Sequence, residues 1–150
     1  MIKKGKKSNV LLIATLASIL LMGIGTALAD TIDKSYTFSF SGPLAMTYTA
    51  AYPKDTKSSM YISVTSTSDS SRSSFKIKPQ VFNGDKYVNT GSGGTVEKGK
   101  RYEVYNYAVE NFGERVPVRF RGERSTASKL TFKGKWSPDY TYESGVIVLP

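Results

Sequence analysis

Two groups of side chains in this sequence could engage another molecule. Arg115, Arg119, Arg121, Lys129, Lys133 and Lys135 place six cations in one stretch. Trp136, Tyr140 and Tyr142 place three aromatic rings on either side of Pro138. A row of cations draws in polyanions or lipid headgroups, and salt weakens the attraction. Tyr and Trp rings, apolar in body and polar at one edge, suit a flat sugar. The same residues also have plainer roles: a solubilising sheet face, and rings packed over the end of a domain.

Chemistry beyond binding has little to work with. The chain has no His and no Cys. Ser-His-Asp and Cys-His arrangements, thiolate nucleophiles and ordinary zinc sites are therefore ruled out, and no disulfide staples the fold. A glycosidase needs two carboxylates facing across a cleft. Glu97, Glu103, Glu110, Glu114 and Glu123 are the candidates, with Glu103 foremost because it precedes Tyr105 and Tyr107 on one expected strand. A cross-strand ion pair is the more ordinary fate of such a glutamate. Asn83-Gly84-Asp85 reads as a tight turn before it reads as a calcium loop. Gly91–Gly94 lacks the strand-then-helix frame of a phosphate cradle. The expectation is a non-enzyme without cofactor or metal.

The N-terminal segment indicates where the protein works. Lys3, Lys4, Lys6 and Lys7 precede an apolar run from Val10 to Ile24, and Ala27-Leu28-Ala29 supplies small residues at a cleavage exit. This is the three-part pattern of a secretory signal peptide. It predicts a leader over residues 1–29, removal after Ala29, and a secreted domain over residues 30–150. The four leader lysines carry much of the formal charge of +9, so the mature domain is only moderately basic. Export, modest charge and the lack of a binding motif argue against a nucleic-acid partner. An anionic envelope polymer or a membrane surface is the expected one.

Beyond Ala29 the pattern is that of strands. Tyr36, Phe38 and Phe40 alternate with Ser and Thr, as do Leu44, Met46 and Tyr48 beyond the Gly42-Pro43 turn signal; the two runs read as a hairpin. Met60, Ile62 and Val64 share a face, then a serine-rich loop over 66–74 reads as mobile. Phe75, Ile77 and Val81 follow, with Pro79 marking an edge strand or a bulge. That edge would be where a surface-layer subunit adds a strand. Tyr102–Val109 is apolar on both faces and reads as a central strand. Val116, Val118 and Phe120 alternate with Arg119 and Arg121, and Leu130, Phe132 and Trp136 alternate with Lys133 and Lys135. Read as a hairpin, these two segments bring most of the cations to one face. Val146–Leu149 could add a last strand. No stretch shows a convincing helical period. The fold class expected is all-β, a single antiparallel β-sandwich of about seven to nine strands. Ten Tyr, seven Phe and one Trp supply a core large enough to stand without disulfides.

The ending Gly134-Lys135-Trp136-Ser137-Pro138-Asp139 resembles that of a group of small exported proteins of Gram-positive bacteria that carry a domain of unknown function. The Asn106…Glu110-Asn111 stretch is similar as well. The resemblance implies a signal peptide and a Thr/Ser/Tyr-rich β body, and no reaction. In style the group is broadly similar to bacteriocin-like secreted β-sandwiches. That implies an interaction module at the cell envelope, with an antagonistic role as its narrower form.

Overall fold

The computed structural model describes residues 29–150. The expected leader, apart from Ala29, lies outside the described residues. The described residues are all-β, with nine strands and one short helix: β1 (Lys34–Tyr48), β2 (Tyr52–Lys54), β3 (Met60–Thr67), β4 (Ser74–Phe82), β5 (Tyr87–Asn89), β6 (Gly94–Glu97), β7 (Arg101–Val104), α1 (Ala108–Phe112), β8 (Val116–Ser137) and β9 (Ile147–Leu149). All nine strands join in one mixed sheet, with β7 and β9 its parallel pair. The two layers of this sandwich are thus continuous, and β8 is the strand that joins them.

β8 is the organising element. One edge pairs with β1 and β2. The other edge pairs with β4 over its first half and with β3 over its second. The expected hairpin between 116–121 and 129–136 is absent. Gly122-Glu123-Arg124-Ser125-Thr126 has the composition of a turn but continues the strand. Its even-numbered side chains face inward over both halves, where Val116, Val118, Phe120, Thr126, Leu130, Phe132 and Trp136 are buried, while Arg124 is half-buried and Ser128 exposed in the middle. The strand curls instead of reversing, so its inward side chains meet across the core. Phe75 of β4 packs on Phe132 with ring centroids 4.7 Å apart. Two glycines permit the tight layers. A Cβ on Gly122 would lie 2.7 Å from the Phe38 ring, and one on Gly134 would lie 1.9 Å from the Ser63 carbonyl oxygen.

The expected hairpin at Gly42-Pro43 is also replaced by a continuous strand. β1 pairs with β8 along its whole length, with register irregularities around Gly42 and Ala45. A bulge of this kind exchanges the faces of a strand. Before it Tyr36, Phe38 and Phe40 are buried; after it Leu44, Met46 and Tyr48 are exposed.

Three further expectations are corrected. β4 is not an edge, because β8 flanks it on one side and β5 and β6 on the other. The Pro79 carbonyl accepts from the Thr90 N–H at 3.0 Å. The position of its missing donor therefore faces the break between β6 and β5, where the ladder asks for none. The long two-faced strand over 102–109 stops at Val104, and Ala108–Phe112 turns as a helix. The Asn106 side chain accepts from the Ala108 N–H at 3.2 Å, and Tyr105 and Tyr107 stand exposed. The serine-rich loop is pinned. Asp69 accepts from Ser71 N–H and Oγ and from Arg72 Nε, while Arg72 reaches Thr126 and Ser128. These hydrogen bonds, from Ser71 first and then Arg72, hold the Asp69 carboxyl down at about 2.

Candidate functional site: a lysine face and a buried aspartate

The curl of β8 decides where the cations go. Odd-numbered side chains from 117 to 135 face outward, so Arg119 and Arg121 project from one layer and Lys133 and Lys135 from the other. The six cations do not form one face. Arg119 lies between two rings, 4.0 Å from the Tyr48 centroid and 3.7 Å from that of Tyr87, and its Nε donates to Gln80 Oε1 at 3.0 Å. Arg121 pairs with Glu123 two residues on along the same face. Arg115, 77% exposed at its side chain, reaches Asp55 at 3.9 Å.

Lys129, Lys133 and Lys135 are different. All three are exposed, and among the described residues none takes part in an ion pair. Hydroxyls stand beside two of them. Lys135 lies between Ser35 of β1 and Ser63 of β3, and Lys133 between Thr37 and Ser66. Thr131, the outward residue between Lys129 and Lys133, shares a hydrogen bond with Ser39 at 3.3 Å. Alternate residues on a strand are about 7 Å apart, so Lys133 and Lys135 form a short row of ammonium groups set among hydroxyls.

The aromatic trio separates. Trp136 is 1% exposed and belongs to the core, against Phe120 and Tyr52. Tyr140 is half-buried, stacked on Tyr61 with the ring planes 7° apart. Tyr142 alone is open. Glu103, the foremost candidate acid, accepts from Ser59 Oγ at 2.8 Å, where the sequence suggested a cationic partner. Asn83-Gly84-Asp85 is a turn in which Asn83 Oδ1 accepts from the N–H groups of Asp85 and Lys86. A groove of about 480 Å³ opens beside the bulge in β1, between Leu44, Met46 and Phe75, with Lys76 and Arg124 on its rim. It shares no residue with the lysine face.

Composition gave no sign of the most heavily bonded group. Lys54 and Asp139 form an ion pair at 3.0 Å with both side chains wholly buried. The Asp139 carboxylate gathers six donors. Its Oδ1 takes Lys54 Nζ, Thr56 N–H and the hydroxyls of Thr56 and Ser58. Its Oδ2 takes the N–H groups of Asp30 and Asp55 at 2.9 and 3.1 Å. Burial alone would raise this carboxyl. The Thr56 hydroxyl, the charge and hydrogen bond of Lys54 and the Asp55 N–H outweigh it and hold the group below the ordinary carboxylate value. Burial pushes the Lys54 ammonium below its usual value, against the pull of Asp139.

Every residue of Trp136-Ser137-Pro138-Asp139 is buried. Trp136 fills the core, Ser137 Oγ donates to the Asp139 carbonyl at 2.8 Å, and the Pro138 carbonyl accepts from Lys54 Nζ at 2.8 Å. The Trp-Ser-Pro-Asp ending is the one sequence signal that could have pointed to the cluster; its role is to tie the end of β8 to the 54–58 segment and to Asp30.

No curated protein and no solved structure matches the chain. A family model described as "Protein of unknown function (DUF2712)" matches residues 25–140, a span that contains both the lysine face and the whole Asp139 cluster. The chain belongs to the DUF2712 family.

Proposed function

We propose that this is an exported, non-catalytic binding module that acts at the bacterial cell envelope, and that its ligand is an anionic polymer. The observation that carries the reading is the row Lys129, Lys133 and Lys135. The cross-strand neighbours of Lys133 and Lys135 are serine and threonine, and among the described residues none of the three lysines takes part in an ion pair. Like charges side by side on a sheet cost stability, so an unneutralised row suits a face that meets negative charge elsewhere. A linear polymer bearing regular anionic groups can lie along it, exchanging hydrogen bonds with the hydroxyls between. The leader pattern of residues 1–29 and the resemblance of the Trp136–Asp139 ending to small exported Gram-positive proteins support the setting, a bacterial cell envelope. An antagonistic, bacteriocin-like role is the narrower form of the same reading.

The test is cosedimentation of the secreted protein with isolated envelopes across a salt series, before and after the anionic wall polymers are extracted. Binding that falls steeply with salt and disappears on extraction supports the reading. Binding indifferent to both contradicts it.

A further inference from the structure

The peptide nitrogen of Asp30 donates to Asp139 Oδ2 at 2.9 Å, and the Asp139 N–H donates back to the Asp30 carbonyl at 3.2 Å. Asp30 is also the residue that cleavage after Ala29 would make the first of the chain. The leader pattern fixes that bond from small residues at 27 and 29; the hydrogen bond to Asp139 comes from the fold. The two coincide at one atom.

We infer that Asp139 is the receptor for the α-ammonium group of Asp30 that leader removal creates. The inference rests on the exported reading above. Hydrolysis of the Ala29–Asp30 bond adds one water, leaves a carboxylate on Ala29, and converts the Asp30 amide nitrogen to an amine that is protonated at neutral pH. That nitrogen stays where it is, 2.9 Å from a wholly buried carboxylate. A neutral donor becomes a charged one, and charge-assisted hydrogen bonds of this kind are shorter and stronger.

The charges around the nitrogen favour the exchange. Asp30, Asp55 and Asp139 bring three carboxylates. Lys34 holds the Asp30 carboxylate at 2.7 and 2.8 Å, and Lys54 holds Asp139. Asp55 Oδ1 is buried without a hydrogen-bond partner, with the exposed Arg115 the nearest cation at 3.9 Å. Beside Asp139 a cavity of about 150 Å³ carries Asp33, Glu143 and the phenols of Tyr61 and Tyr140 on its walls, and Arg101 pairs with Glu143 at 2.8 Å. One more cation among these groups improves the balance. Leader peptidases act during export, before the domain folds. The ammonium is therefore present as the cluster assembles, and only the processed chain completes it.

The experiment uses a chain released from a fusion so that it begins at Asp30 with a free amine, and a twin acetylated at that nitrogen. The described strands and core lie within residues 30–150. Docking predicts that the Asp30 amine titrates above the ordinary α-amino range of about 7.7–8.0. It also predicts that the free-amine chain melts several degrees higher than its twin at pH 6. A raised amine stabilises the fold while protonated, so the difference must close as pH rises through its folded pKa. An ordinary titration, or coincident melts at pH 6, overturns the docking. The intact mass of the exported protein tests the premise separately: a first residue other than Asp30 overturns the processing site and leaves the titration result standing.

Discussion

Phe120 and Trp136 lie on the same strand, sixteen positions apart, yet their rings meet edge to face with centroids 5.7 Å apart. A straight strand of that length would hold them about 53 Å apart. The contact records how far β8 curls, and it explains why inward residues along one strand form a single core while the outward cations face different ways. Truncating either ring removes a contact that both layers share. Phe120→Ala should cost about 3–5 kcal/mol, measured by denaturant unfolding. Trp136 is the only tryptophan, and its burial means that its emission shifts to the red as the core opens.

What the sequence made legible was the period and what it hid was the path. Alternation placed Tyr36, Phe38 and Phe40, Met60, Ile62 and Val64, and Leu130, Phe132 and Trp136 in the core, and all are there. The same alternation continues at Leu44, Met46 and Tyr48, but a bulge near Gly42 exchanges the faces; Gly42-Pro43 signals a break, which the strand crosses as a bulge where a turn was expected. Gly122–Thr126 reads as a turn by composition and is strand by pairing, because β1 pairs along it and β4 pairs with Gly122 and Glu123 from the other side. Tyr105 and Tyr107 have the residue types of a strand, but the sheet ends at Val104 and the Asn106 side chain accepts from the Ala108 N–H as the helix begins. Lys54 was hidden for another reason: a lysine is buried only where a carboxylate awaits it, and Asp139 is distant in sequence.

Gly134 tests the close approach of β8 to β3. A methyl group at this position meets the Ser63 carbonyl oxygen at 1.9 Å, and backbone cannot step aside as a flexible side chain can. Gly134→Ala should destabilise by about 3 kcal/mol, the upper end of overpacking costs. Gly84→Ala, at a turn where a Cβ meets nothing but φ is +97°, should cost about 1 kcal/mol. Urea melts of the two variants give the comparison.

The Lys54–Asp139 pair predicts how the fold responds to acid. The Asp139 carboxyl is held below its ordinary value in the folded chain. Its contribution is therefore complete above the unfolded value of about 3.9 and is lost as pH falls through the lower folded value. Asp139→Asn leaves Lys54 buried without its counter-charge and should cost about 3–5 kcal/mol at neutral pH. It should also flatten the acid limb of stability against pH. Chemical denaturation from pH 2 to 7 checks both, and a variant with an unchanged acid limb would show that other carboxylates govern it.

The separation of the cations by the curl of β8 is tested most directly by salt-dependent binding to a purified anionic wall polymer. The slope of log affinity against log salt counts the charges that engage. Lys133→Ser with Lys135→Ser should weaken binding and reduce that slope by about two. Arg119→Lys, which disturbs the stack between Tyr48 and Tyr87 and the hydrogen bond to Gln80 on the other layer, should leave affinity and slope unchanged. An unchanged slope in the double lysine variant, or an equal loss from Arg119→Lys, would contradict the lysine face as the binding surface.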